Sequence, residues 1–260
     1  MPEDRLKYFG WGREGEAMTP DEEAFVLGRY RARFGVDDFG VISPPPLAEI
    51  QLRAPRVAPP ASLASICSTE PYERAAHTYG KSYPDTVHGL LGEYGNAPDV
   101  VAYPRDEDEL VAVMDWAGGV QAALTPFGAG SSVVGGVEPR IDGQRHKAAV
   151  TIDLRRMDRV IEVDRASRAA RIQAGALGPA LEAQLKPYAL SLRHFPQSFE
   201  YSTLGGWIAT RSGGHFATLH THIDDFVESL RVVTPRGTVE TRRLPGSGAG
   251  PSPDRMFIGS

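Results

Sequence analysis

The 260-residue sequence has one cysteine, no long apolar run and no surplus of basic residues. Because Cys67 is the single cysteine, no internal disulfide can form. We expect its side chain to be packed in the fold, in a protein that resides in a reducing compartment. No apolar run approaches the ~20 residues of a membrane helix, and the acidic N-terminus lacks the basic-then-apolar pattern of a signal peptide. The net charge of −5 argues against a nucleic-acid binder. These absences predict a cytoplasmic protein without a transmembrane segment.

The residues that are present indicate an ordinary globular chain, with 41% hydrophobic and 23% charged residues. Its pattern changes near residue 95, which predicts an N-terminal helical and loop-rich region (1–95) and a second region (96–260). In the first region, Thr19 and Glu22 form a capping box that predicts a helix ending before Gly35. A second helix is predicted over 72–79. This region carries no catalytic signature.

The second region alternates strands and helices. A strand over 100–103, a helix from Asp106 to Trp116 that stops at Gly118, and a strand over 122–125 form a predicted β-α-β unit. The remaining predicted elements are a strand over 149–154, a helix over 179–188, and hairpins pairing 159–163 with 170–174 and 229–234 with 238–241. Mixed β-α-β and antiparallel pieces predict an α+β fold.

The stretch Pro126–Gly136, here called the first glycine loop, directly follows the strand over 122–125. It holds four glycines and two serines in eleven positions. Successive N–H groups in such a loop can form a concave anion site, for which a pyrophosphate is the natural ligand. A Rossmann fingerprint would need a glycine where Val133 stands, and a P-loop would need a lysine that the loop lacks. A plain Gly/Ser-rich surface turn stays open as the alternative.

A second stretch, Pro196–Gly214, is here called the second glycine segment. It carries a glycine pair bracketed by hydroxyl residues and one arginine, Arg211. Four shorter motifs accompany the two stretches in order: Trp11-Gly12, His77-x-x-Gly80-x-Ser82, Pro98-Asp99-x-Val101 and Val232-Val233-Thr234-Pro235-x-Gly237. The ordered set resembles the PCMH-type FAD-binding domain of the vanillyl-alcohol-oxidase/p-cresol-methylhydroxylase superfamily. Within that superfamily it is most similar to the alkylglycerone-phosphate synthases and the bacterial FAD-linked oxidases.

The resemblance implies two abutting α/β subdomains that hold an extended FAD, preceded by the helical N-terminal region. Some members tether FAD through a histidine near the first glycine loop; residues 127–136 contain none, so we expect non-covalent binding. Ala129 stands where relatives often carry glycine, and we expect it to be tolerated. The cofactor-binding residues carried over by the resemblance are Pro126, Phe127, Gly128, Ala129, Gly130, Ser131, Ser132, Gln197, Ser198, Phe199, Glu200, Tyr201, Ser202, Thr203, Thr210, Arg211, Ser212 and Gly213.

The resemblance leaves three activities open. A synthase would exchange the acyl group of acyl-dihydroxyacetone phosphate for an alkyl group through an adduct at flavin N5. A FAD-linked oxidase or dehydrogenase would oxidise a small hydroxylated substrate such as a 2-hydroxy acid. The third alternative is a flavin-binding fragment that is inactive by itself. A small-molecule or lipid-like substrate is expected in the first two cases, and a homodimer is left open.

The end of the sequence resembles the opening of a family segment, Gly-Ser-Glu-Gly-Thr-Leu-Gly, that makes the last flavin contacts. We therefore expect a C-terminally truncated chain whose catalytic residues and substrate-capping domain lie beyond Ser260. Three nearby histidines, His215, His220 and His222, have a spacing that matches no common zinc pattern, and no metal is expected.

Overall fold

The computed structural model describes residues 6–214, 217, 222–243 and 250–259. Its first part is built on a four-stranded sheet in the order β1-β2-β4-β3, in which β1 is antiparallel to β2 and the other neighbours are parallel. The strands are β1 (Cys67–Ser68), β2 (Val100–Ala102), β3 (Ala122–Phe127) and β4 (Ala148–Asp153). The carboxyl ends of the three parallel strands therefore lie along one edge of the sheet.

The predicted β-α-β unit is confirmed, with β4 inserted between its two strands. Helix α4 (Glu107–Gly119) joins β2 to β3 and begins at the predicted cap, where Asp106 accepts a hydrogen bond from the N–H of Glu109. It runs through the glycine pair where it was expected to stop, because the first left-handed residue is Gln121, with a φ of 56°. Val100, Val113 and Val150 are fully buried between this helix and the sheet.

The N-terminal capping box is confirmed. Helix α1 (Pro20–Phe34) begins at Thr19, with Thr19 and Glu22 bonded reciprocally, and Gly35 ends it in the left-handed conformation. The helix buries none of its side chains, and Tyr30 and Phe34 stack on each other in the open.

Two short helices lie between β1 and β2 in the sequence. Helix α2 (Pro71–Ala76) ends three residues before the predicted end, because the ring Nδ1 of His77 bonds the carbonyl of Glu73 and closes the last turn. Helix α3 (Tyr83–Leu90) was not expected, although Ser82 and Asp85 form a capping box with a proline inside it. The sequence therefore carried a sufficient signal for α3.

A second hydrophobic core lies in the later part of the chain. It centres on Leu181, Leu185 and Trp207, contributed by α5 (Gly178–Leu185) and α6 (Leu204–Ala209). Two antiparallel hairpins complete this part, β5 (Val160–Asp164) with β6 (Ala169–Ile172) and β7 (Arg231–Thr234) with β8 (Gly237–Glu240), as predicted. The mixed α/β architecture with two cores confirms the expected fold class.

One buried carboxylate ties the N-terminal region to the sheet. Asp99, at the start of β2, is fully buried and accepts hydrogen bonds from Arg53, Arg56 and the N–H of Ala149. Burial alone would raise the pKa of Asp99, but the hydrogen bonds from Arg56 and Ala149 lower it.

None of the helices within the described ranges combines the length and hydropathy needed to span a bilayer.

Candidate cofactor site

The first glycine loop leaves the sheet at the carboxyl end of β3. The N–H groups of residues 128–132 donate no hydrogen bond to any other described residue. Ala129 and Gly130 are buried, so these donors lack full access to water as well. Because a buried N–H without an acceptor is unfavourable, the loop is suited to a ligand that supplies several acceptor oxygens.

The loop backbone has two glycines at positive φ, Gly130 and Gly135, and they differ in their surroundings. Gly130 has a φ of +71°, and a Cβ there would lie 2.6 Å from the Phe127 ring. Ala129 has no positive φ, so its methyl group causes no backbone strain, as expected. Pro126 is exposed at the end of β3, and Phe127 is buried.

The hydroxyls of this loop differ in their partners. Ser132 Oγ accepts from the N–H groups of Val134 and Gly136, and so shapes the loop. Ser131 is half-buried, and its hydroxyl has no hydrogen bond to the part of the chain that the structure describes. Ser131 is therefore the hydroxyl of this loop that is open to a ligand.

The second glycine segment packs against the first glycine loop at a single close point. Thr203 caps α6 by accepting from the N–H of Gly206 and is almost fully buried. A Cβ on Gly128 would lie closer to Thr203 Oγ1 than the van der Waals contact distance between the two atoms. The two stretches, separated by many residues in sequence, are thus brought together by tertiary packing, as the resemblance implied.

Most hydroxyls of the second glycine segment are committed to internal hydrogen bonds. Ser202 is buried; its hydroxyl donates to the carbonyl of Ser198 and accepts from Trp207 Nε1 at 2.7 Å. Thr210 Oγ1 donates to the carbonyl of Gly206, and Ser212 Oγ to that of Gly213.

Of the remaining residues expected in this segment, two make aromatic contacts and three are exposed. Phe199 stacks on Trp207, with ring centroids 6.1 Å apart, and belongs to the second core. Tyr201 meets the edge of Trp11. Gln197, Glu200 and Gly213 are exposed.

Arg211, the expected cation of the site, has a protein partner. Its Nη2 lies 2.7 Å from Asp224 Oδ2. Burial alone would raise the pKa of Asp224, but the hydrogen bond from Arg211 lowers it. The positive charge of Arg211 is thus already balanced within the chain.

The three histidines considered for a metal are only partly described. His215 and His220 lie outside the described residues, and His222 is exposed. Within the described ranges, no group of three His, Cys, Asp or Glu side chains is arranged to hold a metal ion.

A cleft of about 480 Å³ opens at the same sheet edge, and the sequence reasoning missed it. It lies between α2 and the carboxyl ends of the strands, and Phe127 and Ala129 of the first glycine loop form part of its wall. Cys67 also lines it; burial raises the pKa of this thiol to about 11, which rules out a thiolate at neutral pH. The signal available in the sequence was the motif beginning at His77, whose side chain reaches this cleft.

His77 and Asp153 form a buried hydrogen-bonded pair at the floor of the cleft. His77 Nε2 lies 2.9 Å from Asp153 Oδ2, and its Nδ1 faces the carbonyl of Glu73 at 2.6 Å. Burial alone would raise the pKa of Asp153, but Arg155 and His77 lower it to about 2. Both ring nitrogens of His77 thus face oxygen atoms of neighbouring residues, which holds the ring in place. This pair fixes the ends of α2 and β4 beside the loop.

Comparison with known proteins agrees with the geometry. Residues 98–242 match a family described as FAD binding domain. An alkyldihydroxyacetonephosphate synthase from Dictyostelium discoideum is 42% identical over 72% of this chain and 30% of its own length. An uncharacterized FAD-linked oxidoreductase, YgcU, from Escherichia coli K12 is 28% identical over 69% of this chain and 36% of its own length.

A solved structure of alkyldihydroxyacetonephosphate synthase superposes with a TM-score of 0.85 and 32% identity, covering 98% of this chain and 50% of that one. This chain therefore spans about a third to a half of the length of these relatives. The free N–H groups of the first glycine loop fit the diphosphate of a dinucleotide cofactor. The chain belongs to the FAD binding domain family, and its cofactor is FAD.

Proposed function

We propose that the first glycine loop binds the diphosphate of FAD and holds the cofactor without a covalent bond. The observation that carries this proposal is the set of N–H donors on residues 128–132 that lack acceptors within the described chain. Hydrogen bonds from such donors to a charged group contribute ~1.5–3 kcal/mol each. A few of them supply a large part of the ~8 kcal/mol that micromolar binding requires.

The second glycine segment has a different role in this proposal. Its buried residues Ser202 and Thr203 and the partly buried Phe199 hold the first loop in place, because their side chains are engaged within the fold. Its exposed residues are the ones available for direct contacts. The proposed contact set remains the one that the resemblance implied: Pro126 to Ser132, Gln197 to Thr203 and Thr210 to Gly213.

For the whole protein we propose an alkylglycerone-phosphate-synthase-like activity. The support is the 42% identity to the Dictyostelium synthase and the fold shared with a solved synthase structure. The substrate would be an acyl-dihydroxyacetone phosphate, and a fatty alcohol would replace the acyl group. FAD supplies the reactive isoalloxazine ring, which protein side chains cannot replace.

A FAD-linked oxidoreductase is the second candidate, favoured by the similarity to YgcU. We infer that the 260 residues alone bind flavin but do not catalyse either reaction, since the chain spans 30% of the synthase. We also propose a functional division into an N-terminal region, 1–95, and an FAD-binding region, 96–260.

The binding proposal is tested by titrating the purified chain with FAD and following the quenching of flavin fluorescence. We expect a yellow protein that binds FAD and releases it intact on denaturation. A colourless chain that rejects added FAD would refute the proposal.

The two activities are separated with the complete protein and two substrates. Formation of alkyl-dihydroxyacetone phosphate without consumption of an electron acceptor supports the synthase. Bleaching of the bound flavin by a 2-hydroxy acid supports the oxidoreductase and contradicts the synthase.

A further inference from the structure

Lys81 lies where the N-terminal region meets the first glycine loop. Its backbone N–H donates to the carbonyl of Ser132 at 2.6 Å, which joins the two segments. Lys81 is one of the residues that line the cleft whose wall also contains Phe127 and Ala129. Lys81 and the loop thus border the same space.

The ammonium group of Lys81 is without an acceptor in the described ranges. Among the residues that the structure describes, it donates no hydrogen bond and forms no ion pair. Asp85 attracts it from α3, but that carboxylate is bonded to the N–H of Ser82. Burial lowers the pKa of Lys81 to about 8, as expected for an ammonium group that has lost water without gaining a partner.

The other charged groups deep in the cleft already have partners. Asp153 is bonded to Arg155 and His77, and Glu73 accepts from the hydroxyl of Tyr103. Because these groups are paired with one another, Lys81 carries the positive charge that a ligand can balance.

The two cations at the rim of the cleft are engaged by uncharged groups. Lys7 Nζ donates to the carbonyl of Glu16, and the guanidinium of Arg156 lies 5.0 Å from the centre of the Tyr103 ring. The carboxylate of Glu70 belongs to an exposed residue. It remains in water and does not neutralise the half-buried Lys81.

The first glycine loop needs a cation that its own neighbours do not supply. Its N–H groups offer dipoles, whereas a diphosphate carries full negative charges. Arg211, the cation expected from the sequence, is held by Asp224. Lys81 is therefore the unpaired cation beside the loop within the described part of the chain.

We propose that Lys81 binds a phosphate group of the ligand that the first glycine loop holds. This inference rests on the proposed function and adds to it the charged contact. Two sources supply the same chemistry: the diphosphate of FAD, and the phosphate of a separate phosphoester substrate in the cleft. An unpaired ammonium group destabilises the ligand-free fold, and a bound phosphate removes that penalty.

The test compares the wild-type chain with Lys81→Met by titration with FAD, with riboflavin, which has no phosphate, and with inorganic phosphate. If the FAD diphosphate is the partner, Lys81→Met weakens FAD binding by about tenfold or more and leaves riboflavin binding unchanged. If a phosphoester is the partner, FAD binding is unchanged and the variant loses phosphate binding. Unchanged affinity for both FAD and phosphate would overturn the proposal.

Two further variants exclude a general effect of charge or packing. Lys147→Met removes an exposed lysine beside the opposite end of β4, and we expect wild-type affinities. Lys81→Arg keeps the charge and should retain most of the affinity; a loss as large as that of Lys81→Met would indicate a packing role and count against the proposal. The ligand-free melting temperature of Lys81→Met should rise, whereas a purely structural lysine would lower it on removal.

Failure of the proposed function is distinguishable from failure of this inference. A wild-type chain that does not bind FAD refutes the former. Phosphate titration of the ligand-free chain still tests Lys81 in that case.

Discussion

The two glycine-rich stretches look alike in composition but are used differently in the fold. In the first glycine loop, the N–H groups of residues 128–132 have no acceptor in the described part of the chain. In the second glycine segment, the N–H groups of Gly205 and Gly206 are bonded to Ala174 and Thr203. The family resemblance implied a shared role in cofactor binding. The hydrogen bonds instead distinguish a loop that faces a ligand from a segment that begins a supporting helix.

The difference shows that polar groups in a binding surface and polar groups in its supporting structure have different hydrogen-bond partners. A group that holds the fold together has its hydrogen bonds filled by the chain, and one that awaits a ligand does not. Ser131 and Ser202 illustrate this contrast, because the Ser131 hydroxyl has no described partner and the Ser202 hydroxyl makes three hydrogen bonds.

The strongest test of the first loop is Gly130→Val. The positive φ and the nearby Phe127 ring leave no room for a branched side chain, so the loop must move. We expect FAD affinity to fall by at least ~100-fold in a fluorescence titration, about 2.7 kcal/mol.

Gly135→Val is the matched control for that substitution. Gly135 also has a positive φ, of 74°, but a Cβ there would meet no heavy atom within 4 Å. Its FAD affinity should stay much closer to wild type. Equal losses in both variants would mean that strain alone, rather than the shape of the cradle, controls binding.

The contact between the two stretches can be tested with a double-mutant cycle. Gly128→Ala places a methyl group against Thr203 and should weaken FAD binding by roughly tenfold or more. Thr203→Ala removes a helix cap, at a cost of about 1 kcal/mol of stability. Because Thr203→Ala also removes the clashing hydroxyl, the double variant should regain part of the lost affinity. Strictly additive losses would show that the two stretches do not support each other.

The smallest effects are expected from the two serines, and they are opposite in kind. Ser202→Ala leaves the buried Trp207 Nε1 without its acceptor and should lower the free energy of unfolding by ~1–3 kcal/mol, with little change in FAD affinity. Ser131→Ala should leave stability unchanged and weaken FAD binding by up to about tenfold. Denaturant unfolding and FAD titration of both variants measure the contrast. A Ser131 variant that is destabilised but binds normally would remove the distinction between the stretches.

Local sequence signals predicted many of the elements. The capping box at Thr19, the cap at Asp106 and both hairpins are present where expected, because each depends on residues only a few positions apart. The end of α4 was placed too early, since the glycine pair is compatible with the helix when the next turn is made by Gln121. Helix α3 was overlooked despite its capping box at Ser82.

The candidate site was predictable only in part. The first glycine loop is recognisable from its own residues, and the similarity of the ordered motifs led to FAD. Lys81 and the cleft could not be found in this way, because Lys81 lies about fifty residues before the loop it meets. The pairing of Arg211 with Asp224 was equally invisible, because the two residues lie 13 positions apart and meet only in the folded chain.

The sequence by itself determined the capped helices, the strand periodicity and a glycine loop able to expose its N–H groups, because these follow from short-range sterics and local hydrogen bonds. Only the tertiary structure decided that β4 lies between β2 and β3, that Thr203 closes against Gly128 and that Lys81 borders the loop without a partner. Those outcomes depend on long-range packing. The packing determines which hydrogen-bond donors find an acceptor within the protein and which ones remain for a ligand.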